Sequence, residues 1–257
     1  MKILGVIPAR MAATRFPNKP MVKILGMPMV EHCYLRSKLC DLLDETVVAT
    51  CDFSILDYIN SIGGSVVMTS DKHERATERT AEALLEIEKA NPGVKFDIII
   101  MIQGDEPLID PEMIKQVATP LIKGKSQVSN LMVSLKSFDE INNPNNVKVV
   151  NNVEGNALYM SREPIPSSEK FNGKINYYRQ LGLIGFTRQA LLRFVELAPS
   201  ELEIIESVDM NRFLENGISI YMVETTFEVD AIDIPEDLDR VELKMKHDKV
   251  FQKYKGA

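Results

Sequence analysis

The 257-residue sequence lacks most of the features that would settle its chemistry at once. It has three cysteines, Cys33, Cys40 and Cys51, an odd number with no C-x-x-C pair. That argues against a disulfide framework or a thiolate zinc site and leaves buried thiols of a reducing compartment. The three histidines, His32, His73 and His247, are scattered and form no H-E-x-x-H helix. A metal would therefore be held by carboxylates, which favours a hard ion such as Mg²⁺. No apolar run approaches the roughly eighteen residues that span a bilayer, and Met1–Arg10 enters a strand-like run without a signal-peptide layout, so a cytoplasmic protein is expected. Cations are in deficit, 30 Lys+Arg against 37 Asp+Glu, and a formal charge of −7 speaks against a nucleic-acid footprint. The G-x-x-x-x-G-K-[ST] and G-x-G-x-x-G loops are both absent, which weakens P-loop hydrolase and dinucleotide dehydrogenase readings. Neither a convincing Ser/His/Asp or Cys/His set nor an internal repeat is found.

What is present has the rhythm of an α/β protein. Lys2–Ile7, Thr46–Thr50, Ser65–Met68 and Phe96–Ile102 are β-branched runs bounded by turn residues and predict strands. Between them, Pro28–Leu39, Phe53–Ile62 and Thr77–Glu88 carry apolar residues at helical spacing. This alternation predicts a mostly parallel central sheet with helices on both faces. Ile98–Ile102 (IIIMI) is apolar at every position, as a central strand covered on both sides must be. Ligands of such sheets bind beyond the carboxyl ends of the strands, so the loops after Ile7 and Ile102 are expected to border the site. In the second half, Val128–Leu135, Val147–Val150, Leu181–Phe186 and Ile218–Val223 read as strands, and Arg188–Glu196 and Leu202–Glu215 as helices. Glu163–Gln180 is polar, contains two prolines and reads as an excursion from the core. Pro235 predicts the start of a final helix, with Glu236, Asp237 and Asp239 near its positive end.

Three segments carry chemistry. The loop Pro8–Pro20 (PARMAATRFPNKP) gathers Arg10, Arg15 and Lys19 inside an acidic chain. Arg forks onto phosphate oxygens and Lys places a compact charge on them, so the loop reads as a phosphate cradle; the ordinary alternative is a solvated basic loop. Gln103-Gly104-Asp105-Glu106-Pro107 puts a carboxylate at the end of a buried strand, beside a glycine that permits close backbone approach. It suits a metal–triphosphate contact, and equally a polar turn in which Asp105 caps the helix beginning near Pro111. Val229–Leu238 (VDAIDIPEDL) sets Asp230 and Asp233 ahead of a helix start, where one acid caps and the other either caps or ligates metal.

In this order and spacing the motifs resemble the sugar-acid cytidylyltransferases, most nearly the branch acting on 3-deoxy-manno-octulosonate (Kdo). The resemblance rests on I-P-A-R-x(3)-T-R-x-P-x-K-P at Ile7–Pro20, Q-G-D-E-P at Gln103–Pro107 and I-D-x-P-E-D-L-x-R-V at Ile232–Val241. N-P-N-N-V-K-V-V at Asn143–Val150, A-L-Y-M-S-R at Ala157–Arg162 and P-S-x-L-E-x-x-E at Pro199–Glu206 extend it over nearly the whole chain. It implies a glycosyltransferase-A-like nucleotidyltransferase fold in a single domain over 1–257, with a dimerisation and acceptor-side excursion at about 136–185. It also implies a Mg²⁺-dependent homodimer that transfers CMP from CTP to the anomeric hydroxyl of a 3-deoxy-ulosonic acid, releases pyrophosphate and serves lipopolysaccharide synthesis. By match, Arg10, Arg15, Lys19, Thr77, Arg79, Gln103 and Asp105 would bind the nucleotide, and Asp105 and Asp233 would carry Mg²⁺. Arg15, Lys19, Asp105 and Asp233 would form the catalytic set, and Gln103, Arg162, Gln180, Glu203, Glu206 and Asp209 would face the acceptor. The division is physically sensible, because phosphoryl chemistry needs charge neutralisation and in-line positioning more than a protein nucleophile.

Departures from the family pattern cluster on the acceptor side. The family's H-x-S-G-T-[DE]-R stands here as His73-Glu74-Arg75-Ala76-Thr77-Glu78-Arg79, its H-L-G as Gln180-Leu181-Gly182, and its G-V-D as Ala231-Ile232-Asp233. CTP chemistry is therefore expected to be kept, with Kdo or a close analogue as acceptor. The alternatives are an amino-Kdo, a sialic-type acid, a small phosphonate, or a catalytically silent cytidine-nucleotide-binding protein. Neither a nucleic acid nor a membrane is an expected partner.

Overall fold

The computed structural model describes residues 1–12, 16–227, 230, 232 and 234–256. In chain order they form β1 (Ile3–Ala9), β2 (Lys23–Ile24), β3 (Met27–Pro28), α1 (Met29–Lys38), β4 (Glu45–Thr50), α2 (Phe53–Ser61), β5 (Val66–Met68), α3 (Ala76–Ala90), β6 (Ile98–Met101) and α4 (Pro111–Ile122). Then follow β7 (Val128–Leu135), α5 (Phe138–Asn142), β8 (Lys148–Asn151), β9 (Ala157–Ser161), β10 (Tyr177–Thr187), α6 (Arg188–Glu196), α7 (Glu201–Glu206), α8 (Met210–Glu215), β11 (Tyr221–Glu224) and α9 (Asp237–Lys246). These elements gather into two compact units, one of residues 1–115 and 228–257, the other of residues 116–227. The expected excursion at about 136–185 lies wholly inside the second unit, which begins earlier and ends later.

In the first unit β1 pairs in parallel with both β4 and β6, and β4 pairs in parallel with β5, giving the order β6-β1-β4-β5. Every residue of β1 and of β6 is buried, which is why both runs are apolar throughout. The path β1-α1-β4-α2-β5 steps outward in one direction, and β5-α3-β6 returns past β1. Right-handed crossovers then put α1 and α2 on one face and α3 on the other. The helices follow their patterning: Thr77, Thr80, Ala81, Leu84, Ile87 and Glu88 of α3 are buried at helical spacing, as are Ile55 and Ile59 of α2. The direction of winding reverses at β1. The carboxyl ends of β1 and β6 therefore flank a topological switch point, where ligands of open α/β sheets bind.

The second unit carries a mixed sheet in which β10 is antiparallel to β7 and β8, β9 is antiparallel to β8, and β11 is parallel to β7. The ladder of β10 is broken between Gln180 and Ile184, and Asn130 satisfies the break by donating from Nδ2 to the carbonyls of Leu181 (2.7 Å) and Leu183 (3.0 Å). β10 starts at Tyr177, within the polar stretch expected to leave the core, and β11 starts at Tyr221 rather than Ile218. The helix expected over Leu202–Glu215 is two helices, parted at Ser207 (φ +52°). The division has a use. Glu203 and Arg212 are nine residues apart, half a turn out of phase on one continuous helix, and the break lets their side chains meet. The final helix begins at Asp237, two residues past Pro235.

Candidate functional site

The loops after β1 and β6 and the start of α3 enclose a cleft of about 370 Å³ in the first unit. Arg10, Lys19, Arg79, Gln103 and Asp105 line it, with Phe16, His73, Glu74 and Arg75. The chain thus brings together, at the switch point, the basic loop and the acid-bearing turn that stand 86 residues apart at Lys19 and Asp105. Lys19 lies in a short 3-10 turn entered through Asn18 (φ +59°) and places Nζ 2.8 Å from Asp105 Oδ2. Lys19 is largely buried, whereas a third of the Asp105 side chain remains open. The start of the loop is pinned by Met11 N–H, which donates to Asp52 Oδ2 at 2.8 Å, and Arg10 Nη1 reaches the His73 carbonyl at 3.5 Å. The ring of His73 is held by Glu82, whose Oε2 also accepts from Ser70 N–H at 2.8 Å.

The turn bearing Asp105 is fixed by its own backbone. Gly104 is seated so closely that a Cβ there would lie 2.9 Å from the Pro8 carbonyl oxygen. The close approach expected of this glycine is thus made to the end of β1. The Asp105 carbonyl accepts from Ile232 N–H at 3.1 Å, which draws the late segment to the turn. The alternative of Asp105 as a helix cap is set aside, because Asp110 fills that place, accepting from Glu112 N–H at 2.8 Å. Beneath the turn, burial pushes the Cys33 thiol far above its ordinary pKa, and the Asp105 and Glu106 carboxylates add to the shift.

Arg79 on the cleft wall is 3% exposed; its Nη1 donates to Thr69 Oγ1 and the Ser70 carbonyl, while Nη2 has no hydrogen-bond partner among the described residues. A buried guanidinium nitrogen without a partner is costly, and its place beside the cleft suits an anionic ligand. Thr77 does not line the cleft: it is fully buried, with Oγ1 3.9 Å from Met101 Sδ. Arg15 and Asp233 lie outside the described residues, as does Ala231. Asp230 is engaged by Arg240 at 3.1 Å and Lys244 at 2.7 Å, and Asp237 accepts from Ile234 N–H at 3.2 Å.

The residues expected to face the acceptor other than Gln103 all belong to the second unit, where several are tied into its framework. Arg162 donates from Nε to the Glu206 carbonyl (2.6 Å), from Nη1 to that of Pro144 (2.9 Å) and from Nη2 to that of Ser207 (3.3 Å). Glu206 accepts from Tyr159 and Ser161 hydroxyls and from Arg162 N–H, at 2.7 to 2.8 Å. Burial draws its carboxyl upward, but these donors prevail and hold it below the ordinary range. Glu203 is fully buried, with its oxygens 2.6 and 2.7 Å from Arg212 Nε and Nη2. Glu203 and Glu206 thus do not form the solvated helix face that an L-E-x-x-E turn taken alone would suggest. Gln180 lies on β10, half-buried, and Asp209 immediately precedes α8. Sequence reasoning missed Asp52 and Glu82 as supports. Asp52 was within reach, because it stands two residues past the end of β4, at the ligand edge of the sheet.

A family model described as cytidylyltransferase matches residues 4–220. The chain is 42% identical over 256 residues to a 3-deoxy-manno-octulosonate cytidylyltransferase of Geobacter metallireducens, covering 95% of this chain and 98% of that one. It is 40% identical over 257 residues to the enzyme of the same name from Geotalea daltonii, covering 96% and 99%. Among solved structures, CMP:2-keto-3-deoxy-manno-octonic acid synthetase complexed with CTP superposes with a TM-score of 0.87 at 32% identity, over 96% of this chain and 99% of that one. With the basic loop, the Q-G-D-E-P turn and the cleft between them in place, the chain belongs to the 3-deoxy-manno-octulosonate cytidylyltransferase family.

Proposed function

We propose that the protein transfers CMP from CTP to the anomeric hydroxyl of 3-deoxy-manno-octulosonate with release of pyrophosphate. The observation that carries this reading is the convergence of Arg10, Lys19, Arg79 and Asp105 on one cleft at the switch point, in a chain alike over its whole length to enzymes of that name. Lys19 and Arg10 neutralise triphosphate charge, and Lys19 remains beside the pyrophosphate as charge develops on it. The buried Arg79, whose Nη2 has no hydrogen-bond partner among the described residues, adds positive charge to the cleft wall for an anionic group. Gln103 gives a neutral donor and acceptor next to the reacting region. Among the described residues no group of three His, Cys, Asp or Glu gathers, so these residues form no closed protein cage for a metal. A single open carboxylate beside a triphosphate site suits Mg²⁺, which takes one or two carboxylates and completes its shell with phosphate oxygens and water. Asp105 and, by the family pattern, Asp233 would hold it, and once bound it would lower the pKa of the attacking hydroxyl and offset charge on the α-phosphate. The same reading makes the protein a cytoplasmic homodimer whose product is consumed in surface-polysaccharide synthesis. No helix among the described residues is long and apolar enough to cross a membrane.

The test is pyrophosphate release from CTP with Mg²⁺ across Kdo, an amino-Kdo, a sialic acid and small phosphonates, with UTP and ATP as controls. Turnover with CTP and Kdo is expected. Turnover with another acid alone would keep the cytidylyltransferase and replace its acceptor, directing attention to Arg75 on the cleft wall and Gln180. No turnover with any acceptor would overturn the reading.

A further inference from the structure

Arg36 does not touch the cleft, yet it is one of the most buried charged side chains of the first unit, 2% exposed on α1. Each of its three guanidinium nitrogens has a partner. Nε donates to the Ile109 carbonyl at 2.5 Å, Nη2 to the Leu108 carbonyl at 3.1 Å, and Nη1 pairs with Asp248. Leu108 and Ile109 close the turn that begins at Gln103: Ile109 N–H bonds to the Glu106 carbonyl at 3.1 Å, and Glu106 N–H to that of Gln103 at 3.5 Å. The guanidinium thus grips the far side of the turn bearing Asp105, while Gly104 and Ile232 grip the near side. Asp248 is rigid in its own right. Its Oδ1 accepts from Val250 N–H at 2.8 Å, and the segment after it is anchored to α1 by Tyr254, whose hydroxyl lies 2.8 Å from His32 Nδ1. Burying an arginine is expensive unless its nitrogens find partners, and here two backbone carbonyls and one carboxylate engage all three, with the Tyr254 hydroxyl alongside. A lysine would offer one compact charge and could not span the three acceptors.

We infer that Arg36 is a positioning residue for the acid-bearing turn. Held by Asp248, it fixes where the Asp105 carboxylate stands, and the segment following α9 is thereby part of what makes the cleft competent. The functional half of this inference rests on the proposed cytidylyl transfer; the structural half does not. The experiment compares Arg36→Lys and Asp248→Asn with Glu242→Ala, which loosens α9 by removing the acceptor of Leu25 N–H (3.1 Å), away from the grip on the turn. Amide hydrogen exchange over residues 103–110 is read alongside kcat and the KM for CTP. The expected result is exchange at least tenfold faster across the turn in Arg36→Lys and Asp248→Asn. Their kcat should fall at least tenfold while KM for CTP stays within twofold, and Glu242→Ala should leave both exchange of the turn and kcat within twofold of wild type. If Arg36→Lys does not fold, Asp248→Asn alone decides. Unchanged exchange in the turn overturns the inference even if the protein turns over no CTP at all. Faster exchange with full kcat, or an equal loss of kcat in Glu242→Ala, overturns it as well.

Discussion

Two acids in this chain show how much a residue's surroundings decide. Asp105 ends a buried strand, keeps a third of its side chain open and stands 2.8 Å from Lys19, so its carboxylate is available to a ligand while held in place. Asp105→Asn keeps the shape and loses the charge. Turnover is expected to fall about a hundredfold or more, with the melting temperature unchanged within about 2 °C; steady-state pyrophosphate release and calorimetry check it. Glu203 is the opposite case, fully enclosed and forked onto Arg212, which also lies over the Phe194 ring at 4.0 Å. Glu203→Ala leaves a buried guanidinium without its counter-charge, and a loss of about 3–5 kcal/mol in stability is expected from urea unfolding. A contact made to an acceptor would instead raise the acceptor's KM at unchanged stability. Local patterning shows an L-E-x-x-E helix turn but not that a partner nine residues on will fold back to it, so this acid's setting was not legible in the sequence.

At the scale of elements, the turn after β6 illustrates what a short motif specifies. Gly104→Ala would drive a Cβ to within 2.9 Å of the Pro8 carbonyl oxygen, and backbone cannot yield as a side-chain tip can. A stability loss of about 1–3 kcal/mol is expected from denaturant unfolding, accompanied by a fall in kcat as the neighbouring Asp105 shifts. The parallel strands and the three crossover helices of the first unit were readable because hydrophobic period and β-branching act locally and agree with the tertiary demand. So was the place of the site, since the rule of strand carboxyl ends needs only the order of elements. The second unit was less legible. The start of β10 at Tyr177 carries few apolar residues, and β9 (ALYMS) is too short for a periodic signal. The division between α7 and α8 falls at a serine in the left-handed region, a conformation that Gly or Asn would have advertised. Why Arg75 stands in the cleft wall where the family carries serine has no structural explanation here.

The molecule as a whole should answer acid in two stages, since its units hold different titratable groups away from their ordinary values. In the first unit burial holds His32 below its ordinary value of 6.5, against the pull of the Ile24 carbonyl. A histidine depressed in the folded state binds its proton more readily when unfolded. Its contribution is therefore present above about pH 6.5 and is lost as pH falls through the folded value. In the second unit Glu140, Glu206 and Glu215 are held below the ordinary 4.5, so their contribution persists to that pH and fades beneath it. Hydrogen exchange from pH 8 to 4 is expected to show the contacts of His32 with Tyr254 opening first and the second unit following below pH 4.5. The first unit is also assembled from two stretches, residues 1–115 and 228–257, with 112 residues of the other unit intervening. On the ribosome the basic loop and the acid-bearing turn are therefore synthesised early and wait. A nascent chain halted before residue 228 holds Lys19 and Asp105 but neither the amide of Ile232 nor the carboxylate of Asp248, so competence arrives late in translation.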